Sequence, residues 1–424
     1  MDVVNFLMFL IFALLCYSAL RFSRLIYGDY LAPVGIFLGV NLASIAFHNL
    51  NLLPLIPISV QAYLLIAVAF FSFFLGALLA TPSFALRGKL VPACPAPERF
   101  QDFRGLGLFY YLTATITIAG WLYYVTYIVP PGWTRNLWML QGEYYFPYHM
   151  GYSLVAGSLV VPSFILLRKA RRGITLPSLV LLVLVMIALA LSGIKTYLIV
   201  GLTTGAIVWS SINPGRVKMR HLVVLAFLAM GFQALYERYI DIFVLRQFPG
   251  SRFPPALSFL EGPYLYLVGS WSAVSVIMEN PPPQAHWGQV TLLLIWKILG
   301  PGGLGIMERV PKYLPFISIG WGYLTTNVYS LIGEVYWDFG WLGVICACFL
   351  LGFVSVKLYL AARKNNDWIL HLLSGCFSYG LFISFFAFYY RDDLIFLLLY
   401  SLTMGSLARK LSGLFKRGLV YRTV

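Results

Sequence analysis

Residues 330–344 read SLIGEVYWDFGWLGV and open an apolar run that continues to residue 361. The run is as long as a membrane-spanning helix, which needs about 20 mostly apolar residues. Two acids, Glu334 and Asp338, lie at its beginning, and a carboxylate is costly in hydrocarbon. The stretch therefore predicts a helix that enters a membrane. The role of its acids depends on the side of the membrane that they face.

The composition of the whole chain predicts a polytopic, all-α membrane protein. Of its 424 residues, 60% are hydrophobic and 11% are charged, and the mean hydropathy is +0.82. A soluble domain has about 25% charged residues. Residues 3–20 lack the basic start and the cleavage site of a signal peptide, so we interpret them as a span. Because no linker divides the chain, we predict one transmembrane domain over residues 1–424.

A helical transmembrane bundle of about 11 spans is predicted from the apolar runs. The sixth, seventh and eighth runs are short or closely joined. The runs are residues 3–20, 31–47, 59–80, 106–128, 151–167, 177–193, 197–212, 221–236, 341–361, 369–388 and 394–408.

The basic residues orient these spans. When the loops are assigned to alternate sides, 21 of the 30 Lys and Arg residues fall on one side and nine on the other. Basic residues accumulate on the cytoplasmic side of membrane proteins, so the richer side is cytoplasmic. The N-terminus then lies outside and the C-terminus inside.

The acids are distributed the other way. The cytoplasmic side has 21 basic and four acidic residues, net +17, whereas the outer side has nine basic and eleven acidic residues, net −2. The overall charge of +15 therefore reflects topology, and it indicates contact with anionic lipid head groups. Such a charge suggests nucleic acid in a soluble protein, but this distribution predicts no nucleic-acid partner.

The longest outer segment, residues 237–337, does not resemble a soluble domain. Its apolar stretches are shorter than a span, and Pro-rich breaks such as NPPPQAHWGQ at 280–289 separate them. We predict two or three re-entrant or interfacial helices, because non-helical backbone at membrane depth occurs where it lines a cavity. The alternative is a pair of spans at 264–279 and 288–300.

Four stretches of the second half resemble one family. They are LSGIKTYLIVGLTTGAIVW at 191–209, ALYERYIDIFVLR at 234–246, TNVYSLIGEVYWDFGWLGVICACFLLG at 326–352 and FAFYYRDDLIFLLLYSLTMG at 386–405. They look like the Wzy-type polymerases of oligosaccharide repeat units, which include the O-antigen and enterobacterial common antigen polymerases. The most distinctive part is N-x-Y-x-x-x-G followed by DFG-x-x-G. The R-x10-G loop motif of some relatives is absent.

The resemblance implies a GT-C-like glycosyltransferase of the bacterial inner membrane that acts on the periplasmic face. The growing glycan would leave undecaprenyl diphosphate and join the non-reducing end of a new lipid-linked repeat unit. The family uses no cofactor, and its partners include membrane lipids, a chain-length regulator and a flippase. An O-antigen ligase and a flippase or transporter of lipid-linked oligosaccharide are the alternatives.

Transfer from a lipid diphosphate requires positive charge at the leaving group. Four outer basic residues near span ends are therefore candidates for diphosphate binding, namely Lys195, Arg238, Arg246 and Arg391. Lys195 stands in SGIKT where the family commonly has Arg, and a Lys loses the bidentate contact. The structural alternative is snorkelling to the interface or, for Arg391, an ion pair with Asp392.

Transfer also requires a base or hydrogen-bond acceptor for the acceptor hydroxyl. The candidates on the outer side are Glu261, Asp338, Asp392 and His286. Asp338 equally suits the N-cap of a helix that begins there, which is its structural alternative. His286 resembles the loop histidine of O-antigen ligases.

Aromatic side chains near these acids are candidates for glycan binding, because aromatic rings fit the faces of sugars. Their structural alternative is to anchor the chain at the membrane interface. The candidates are Tyr264, Tyr266, Trp271, Tyr329 and Trp337.

We predict no metal site. Asp392 and Asp393 are adjacent, and adjacent side chains on a helix diverge. The five cysteines show neither a disulfide framework nor the spacing of zinc ligands. Transfer is therefore predicted to be metal-independent.

The predicted orientation is tested by cysteine labelling of intact cells. A membrane-impermeant maleimide should modify a cysteine placed at Gln284, which lies in the outer segment, and leave a cysteine at Arg171 unmodified until the membrane is opened. The reverse pattern would overturn the orientation and every outer-side site residue above.

Overall fold

The structure is a computed structural model, and it describes residues 3–82, 103–123, 126, 148–171, 175–191, 195–221, 231, 250–281, 288, 290–292, 314–320, 324–365, 367–390 and 392–420. Most of these residues are helical and the strands among them are two residues long, which confirms the all-α class. The helices are α1 Val3–Tyr27, α2 Pro33–His48, α3 Val60–Ala80, α4 Phe103–Tyr123, α5 Tyr148–Gly157, α6 Val160–Arg171, α7 Leu176–Leu191, α8 Lys195–Ile212, α9 Glu261–Glu279, α10 Ser330–Asn365, α11 Trp368–Phe382 and α12 Asp392–Val420.

Seven helical stretches of the described residues are long and apolar enough to cross a membrane. They are Val3–Tyr27, Val60–Ala80, Phe103–Tyr123, Tyr152–Ala170, Ser330–Asn365, Trp368–Phe385 and Leu394–Leu414. Helices α2, α7 and α8 are apolar but shorter. The predicted span at 221–236 falls almost wholly outside the described residues, so the count of eleven spans stays a prediction.

Local sequence signals set several helix starts. The Ser59 hydroxyl accepts a hydrogen bond from the Ala62 N–H and so caps α3. Helix α2 begins with Pro33, whose fixed φ suits the first helical position. Asp367 Oδ1 accepts from the Ile369 N–H at 2.9 Å and caps α11. These caps satisfy backbone donors that the helix itself leaves open.

Contacts divide the chain into two compact units. Unit 1 comprises residues 1–91, 215–357 and 380–392, and unit 2 comprises residues 92–214, 358–379 and 393–424. Both units therefore draw on distant parts of the sequence.

In unit 1, α9 packs against α2 and α3 and thereby places part of the predicted outer segment within the helical body. The short antiparallel strands β1 Ile317–Ser318 and β2 Thr325–Thr326 lie against α9. Helix α9 confirms that the segment contains a helix. It is not among the stretches apolar enough to span.

In unit 2, α4 packs against α5, α6 and α7, and α8 packs against α6 and α7. The rings of Phe109 and Trp368 lie 5.4 Å apart between their centroids. Arg409 forms an ion pair of 2.6 Å with Asp367, the residue directly before α11. Unit 2 is thus an apolar bundle with an ion pair at one helix end.

Helix α10 contains a break at Gly340, where φ is 63° and ψ is −156°. A residue with a side chain rarely adopts this conformation, so the glycine permits the break. The predicted span at 341–361 begins directly after it. The prediction that Asp338 starts a helix is wrong, because α10 begins at Ser330.

Helices α3 and α10 touch where each has a glycine. A methyl group on Gly76 would overlap the carbonyl oxygen of Phe349, and one on Gly352 would overlap that of Phe73. Small residues allow such close approach of helices in membranes, where dispersion contacts replace the hydrophobic effect as the driving force. The two glycines therefore fix the separation of α3 and α10.

A valine at either glycine should separate these helices. We expect Gly76→Val and Gly352→Val each to lower the free energy of unfolding by about 1–3 kcal/mol or more, because backbone atoms cannot yield to the added methyls. Thermal unfolding in detergent measures the change. Gly413→Val is the matched control, since a side chain there meets nothing within 4 Å. Equal destabilisation by all three variants would contradict the close crossing.

Candidate functional site

A cluster of buried residues joins the predicted outer segment to the loop before α3 and to the start of α10. We call this cluster the segment core. The residues of the segment core are Leu53, Leu55, Tyr264, Val268, Ala273, Ile277, Val290, Leu314, Ile319, Leu324 and Tyr329. Backbone hydrogen bonds reinforce it, because the Ile56 N–H donates to Ile319 O and the Ile319 N–H donates to Leu324 O, both at 2.8 Å. The site candidates of unit 1 lie in or beside this core.

Polar side chains attach α9 to its neighbours on its buried face. The Trp271 indole N–H donates to Ser44 Oγ at 2.7 Å. His48 Nε2 lies 3.0 Å from Ser272 Oγ, and that hydroxyl donates to the Ile56 carbonyl at 2.8 Å. Hydrogen bonds of this kind satisfy polar groups that would be costly in a membrane interior. They hold α9 at a defined position against α2.

Glu261 is the first residue of α9 and is 3% exposed. Its carboxylate suits the positive end of the helix dipole. Ser251 Oγ donates to Glu261 Oε1 at 2.7 Å, and the Phe253 N–H donates to Ser251 Oγ at 3.2 Å. Glu261 thereby closes the turn that precedes α9.

Asp338 is fully buried and accepts hydrogen bonds from residues 290–291 of the predicted outer segment. Its Oδ2 lies 3.1 Å from Val290 N, 2.7 Å from Thr291 N and 2.8 Å from Thr291 Oγ1. Three donors on one oxygen make this a charge-assisted contact, which is stronger than a neutral one. Asp338 therefore holds residues 290–291 and does not cap its own helix, which corrects the predicted N-cap.

The other two residues of DFG complete the same contact. A methyl group on Gly288, where φ is +85°, would come within 2.9 Å of the Phe339 ring. Phe339 thus packs against the backbone of the turn that Asp338 holds. Gly340 then breaks α10. The DFG sequence works as one unit that attaches the 288–292 turn to the start of the span.

Glu334 was missing from the predicted site residues, yet it is buried, at 2% exposure. It precedes Asp338 by four residues, a spacing that places two side chains on one helix face. Burial raises the pKa of Tyr329, and the negative charge of Glu334 raises it further. The four-residue spacing was the sequence signal for this acid. No sequence pattern indicated Ser251 or Thr291. Ser251 bonds to Glu261 and Thr291 bonds to Asp338 only because the fold brings them together.

The predicted glycan-binding aromatics differ in exposure. Tyr264, Trp271 and Tyr329 are buried. The Tyr264 hydroxyl donates to Phe47 O and the Tyr329 hydroxyl donates to Pro315 O, both at 2.7 Å. Trp337 is half-buried, 5.6 Å from the Tyr329 ring between centroids. Tyr266 is 48% exposed and lies 5.6 Å from the Phe386 ring. Tyr266 and Trp337 therefore have surface to offer a ligand in this structure.

Six predicted site residues fall wholly or partly outside the described part of the chain. Lys195 and Asp392 are the first residues of α8 and α12, but their side chains lie outside the described part of the chain. His286, Arg238, Arg246 and Arg391 lie outside it altogether. The diphosphate-binding set and the base roles of His286 and Asp392 therefore stay predictions.

In the described part of the chain, no three His, Cys, Asp or Glu residues are grouped so that they could hold a metal ion. Metal independence stays a prediction.

Comparison with known proteins finds no matching family model, no similar curated protein and no similar solved structure.

The contact between Asp338 and Thr291 can be measured by a double-mutant cycle. Asp338→Ala leaves three buried donors without this acceptor, so we expect it to lower the free energy of unfolding by about 3 kcal/mol, and Thr291→Val by about 1 kcal/mol. The double variant should be no less stable than Asp338→Ala alone, because the hydroxyl has already lost its partner. Thermal unfolding in detergent provides the values.

Thr403→Val is the matched control, because the Thr403 hydroxyl donates to Leu399 O within its own exposed helix face. Its effect should add to that of Asp338→Ala. Additive effects of Thr291→Val and Asp338→Ala would show that the two side chains are not coupled.

Proposed function

We propose that this chain polymerises lipid-linked oligosaccharide repeat units. The growing glycan is transferred from undecaprenyl diphosphate to the non-reducing end of a new lipid-linked unit at the periplasmic face. The proposal rests first on the four stretches that resemble Wzy-type polymerases. It places the enzyme in the inner membrane with the 237–337 segment outside.

The structural observation that carries the proposal is the set of buried acids beside the segment core. Glu261, Glu334 and Asp338 are each 3% exposed or less. A buried carboxylate is expensive and commonly serves a function in a membrane protein. Glycosyl transfer needs a base or hydrogen-bond acceptor for the acceptor hydroxyl, and a carboxylate can take this role.

The acids take different roles in this proposal. Asp338 is a positioning residue, because its Oδ2 already accepts three hydrogen bonds from residues 290–291. The base is then sought among Glu261, His286 and Asp392. Exposed Tyr266 and half-buried Trp337 supply the aromatic surface for the glycan.

Positive charge at the leaving diphosphate is assigned to Lys195, Arg238, Arg246 and Arg391. Anionic charge grows on this group as the glycosidic bond breaks, so fixed cations stabilise the transition state. Arginine adds a planar pair of donors that matches phosphate oxygens. These cations take the part that a divalent ion plays in many nucleotide-sugar enzymes, and the proposed transfer requires no metal.

The test is polymerisation by the purified protein in liposomes. Purified lipid-linked repeat units should be converted into a ladder of chain lengths, seen on a gel, and the ladder should persist in excess EDTA. Transfer of one glycan to a different lipid acceptor would indicate a ligase. Movement of labelled lipid-linked units across the bilayer without a ladder would indicate a flippase. Activity that EDTA removes and Mg²⁺ restores would make Asp392 and Asp393 candidate ligands.

Arginine variants test the diphosphate set in the same assay. Arg238→Lys and Arg391→Lys should each slow polymerisation about tenfold, because loss of one charge-assisted hydrogen bond costs about 1.5 kcal/mol. Arg220→Lys is the matched control, since Arg220 is exposed and predicted to lie on the cytoplasmic side. Normal activity of folded Arg238→Ala and Arg391→Ala proteins would refute the assignment.

A further inference from the structure

An apolar groove lies between α3 and the part of α10 that follows Gly340. Its volume is about 680 Å³, within the range of ligand pockets. The groove is bounded on one side by the crossing at Gly76 and Gly352, where the backbones meet. Its lining includes Ala67, Phe71, Leu75, Ile345, Cys346 and Leu350.

The lining selects a hydrocarbon ligand. Ser72 and Cys346 are its only side chains with a heteroatom, and the rest are Ala, Val, Phe, Leu and Ile. A polar group placed there would lose its hydrogen bonds to water without replacement. Phe71 is 67% exposed and Leu350 is 56% exposed, both in helices apolar enough to span a membrane. In a bilayer, the groove therefore opens to the acyl chains, and a chain can enter from the side.

The groove also leads towards the acids of the candidate site. Ile345 lies five residues after Gly340, a distance of about 7.5 Å along a helix. Asp338 lies on the other side of the break and holds the 290–291 turn. Helix α3 likewise begins at the segment core, because Ser59 precedes it and the Ser59 N–H donates to Ser275 Oγ in α9. Both walls thus start beside hydrogen-bonded polar residues, Ser275 next to α3 and Asp338 in α10, and run to the glycine crossing.

This polarity gradient matches one class of molecule, an amphiphile with a polar head and a long chain. We infer that the groove binds the polyprenyl chain of the lipid-linked substrate and so places its diphosphate and glycan beside the segment core. The inference rests on the proposed function for the identity of the chain. It adds a lipid-binding site on α3 and α10 to the proposed function.

The exposed thiol of Cys346 provides a probe inside the groove. The protein is reconstituted in phosphatidylglycerol liposomes and reacted with a bilayer-soluble maleimide, and peptide mass spectrometry follows Cys346. Undecaprenyl diphosphate at about ten times its Kd should slow labelling about tenfold, because mass action leaves about a tenth of the groove empty. An equal amount of added phosphatidylglycerol should have no effect.

Matched positions on α3 separate groove binding from general lipid effects. A cysteine at Leu79, which is 62% exposed and not part of the lining, should label at the same rate with and without undecaprenyl diphosphate. Ala67→Phe fills the groove and should abolish the protection of Cys346. Leu64→Phe, at a site 58% exposed outside the lining, should keep it. If Ala67→Phe fails to fold, the labelling of Cys346 in the unaltered protein, with and without undecaprenyl diphosphate, still tests the inference.

Protection of Cys346 by both lipids equally, or by neither, would overturn the inference. The result is independent of the polymerisation assay. A ladder without Cys346 protection would refute the groove and leave the polymerase standing. Specific protection without a ladder would leave a polyprenyl-lipid site in a protein that is not a polymerase.

Discussion

The carboxylate of Asp338 is the contact on which the candidate site depends. It joins the start of a long apolar helix to a turn 47 and 48 residues earlier in the chain, through two backbone N–H groups and one hydroxyl. Phe339 packs against the same turn, and Gly340 lets the helix change direction directly below it. Without this contact the 290–291 turn, which contributes Val290 to the segment core, would lose its hydrogen bonds to α10.

The membrane imposes the second constraint, since a buried polar group there must find its partner within the protein. In α9, the Trp271 N–H bonds to Ser44 of α2. The Ser272 hydroxyl bonds to His48 of α2 and to the Ile56 carbonyl in the loop before α3. These bonds explain how a helix too polar to count as a span can be buried along most of its length. They also give Trp271 a structural role, because its ring is enclosed and its N–H is used.

The proposed chemistry and the proposed lipid site lie on either side of one boundary. On the N-terminal side of Gly340 in α10 are Glu334, Asp338 and the half-buried Trp337, and on its C-terminal side is the apolar groove that ends at the crossing of Gly76 and Gly352. A lipid-linked sugar has the same division between its head and its chain. The break at Gly340 allows one helix to contribute to both regions.

The sequence by itself determined the helical class, the approximate position of most apolar helices and the start of the span after Gly340, because hydropathy and glycine conformation act locally. It also contained the four-residue spacing that puts Glu334 beside Asp338. Only the tertiary structure decided that Asp338 serves the 290–291 turn, that Ser251 bonds to Glu261, and that Tyr264, Trp271 and Tyr329 are buried while Tyr266 is exposed. Hydrogen-bond partners and burial depend on which distant segments meet, and no local pattern of residue types specifies that.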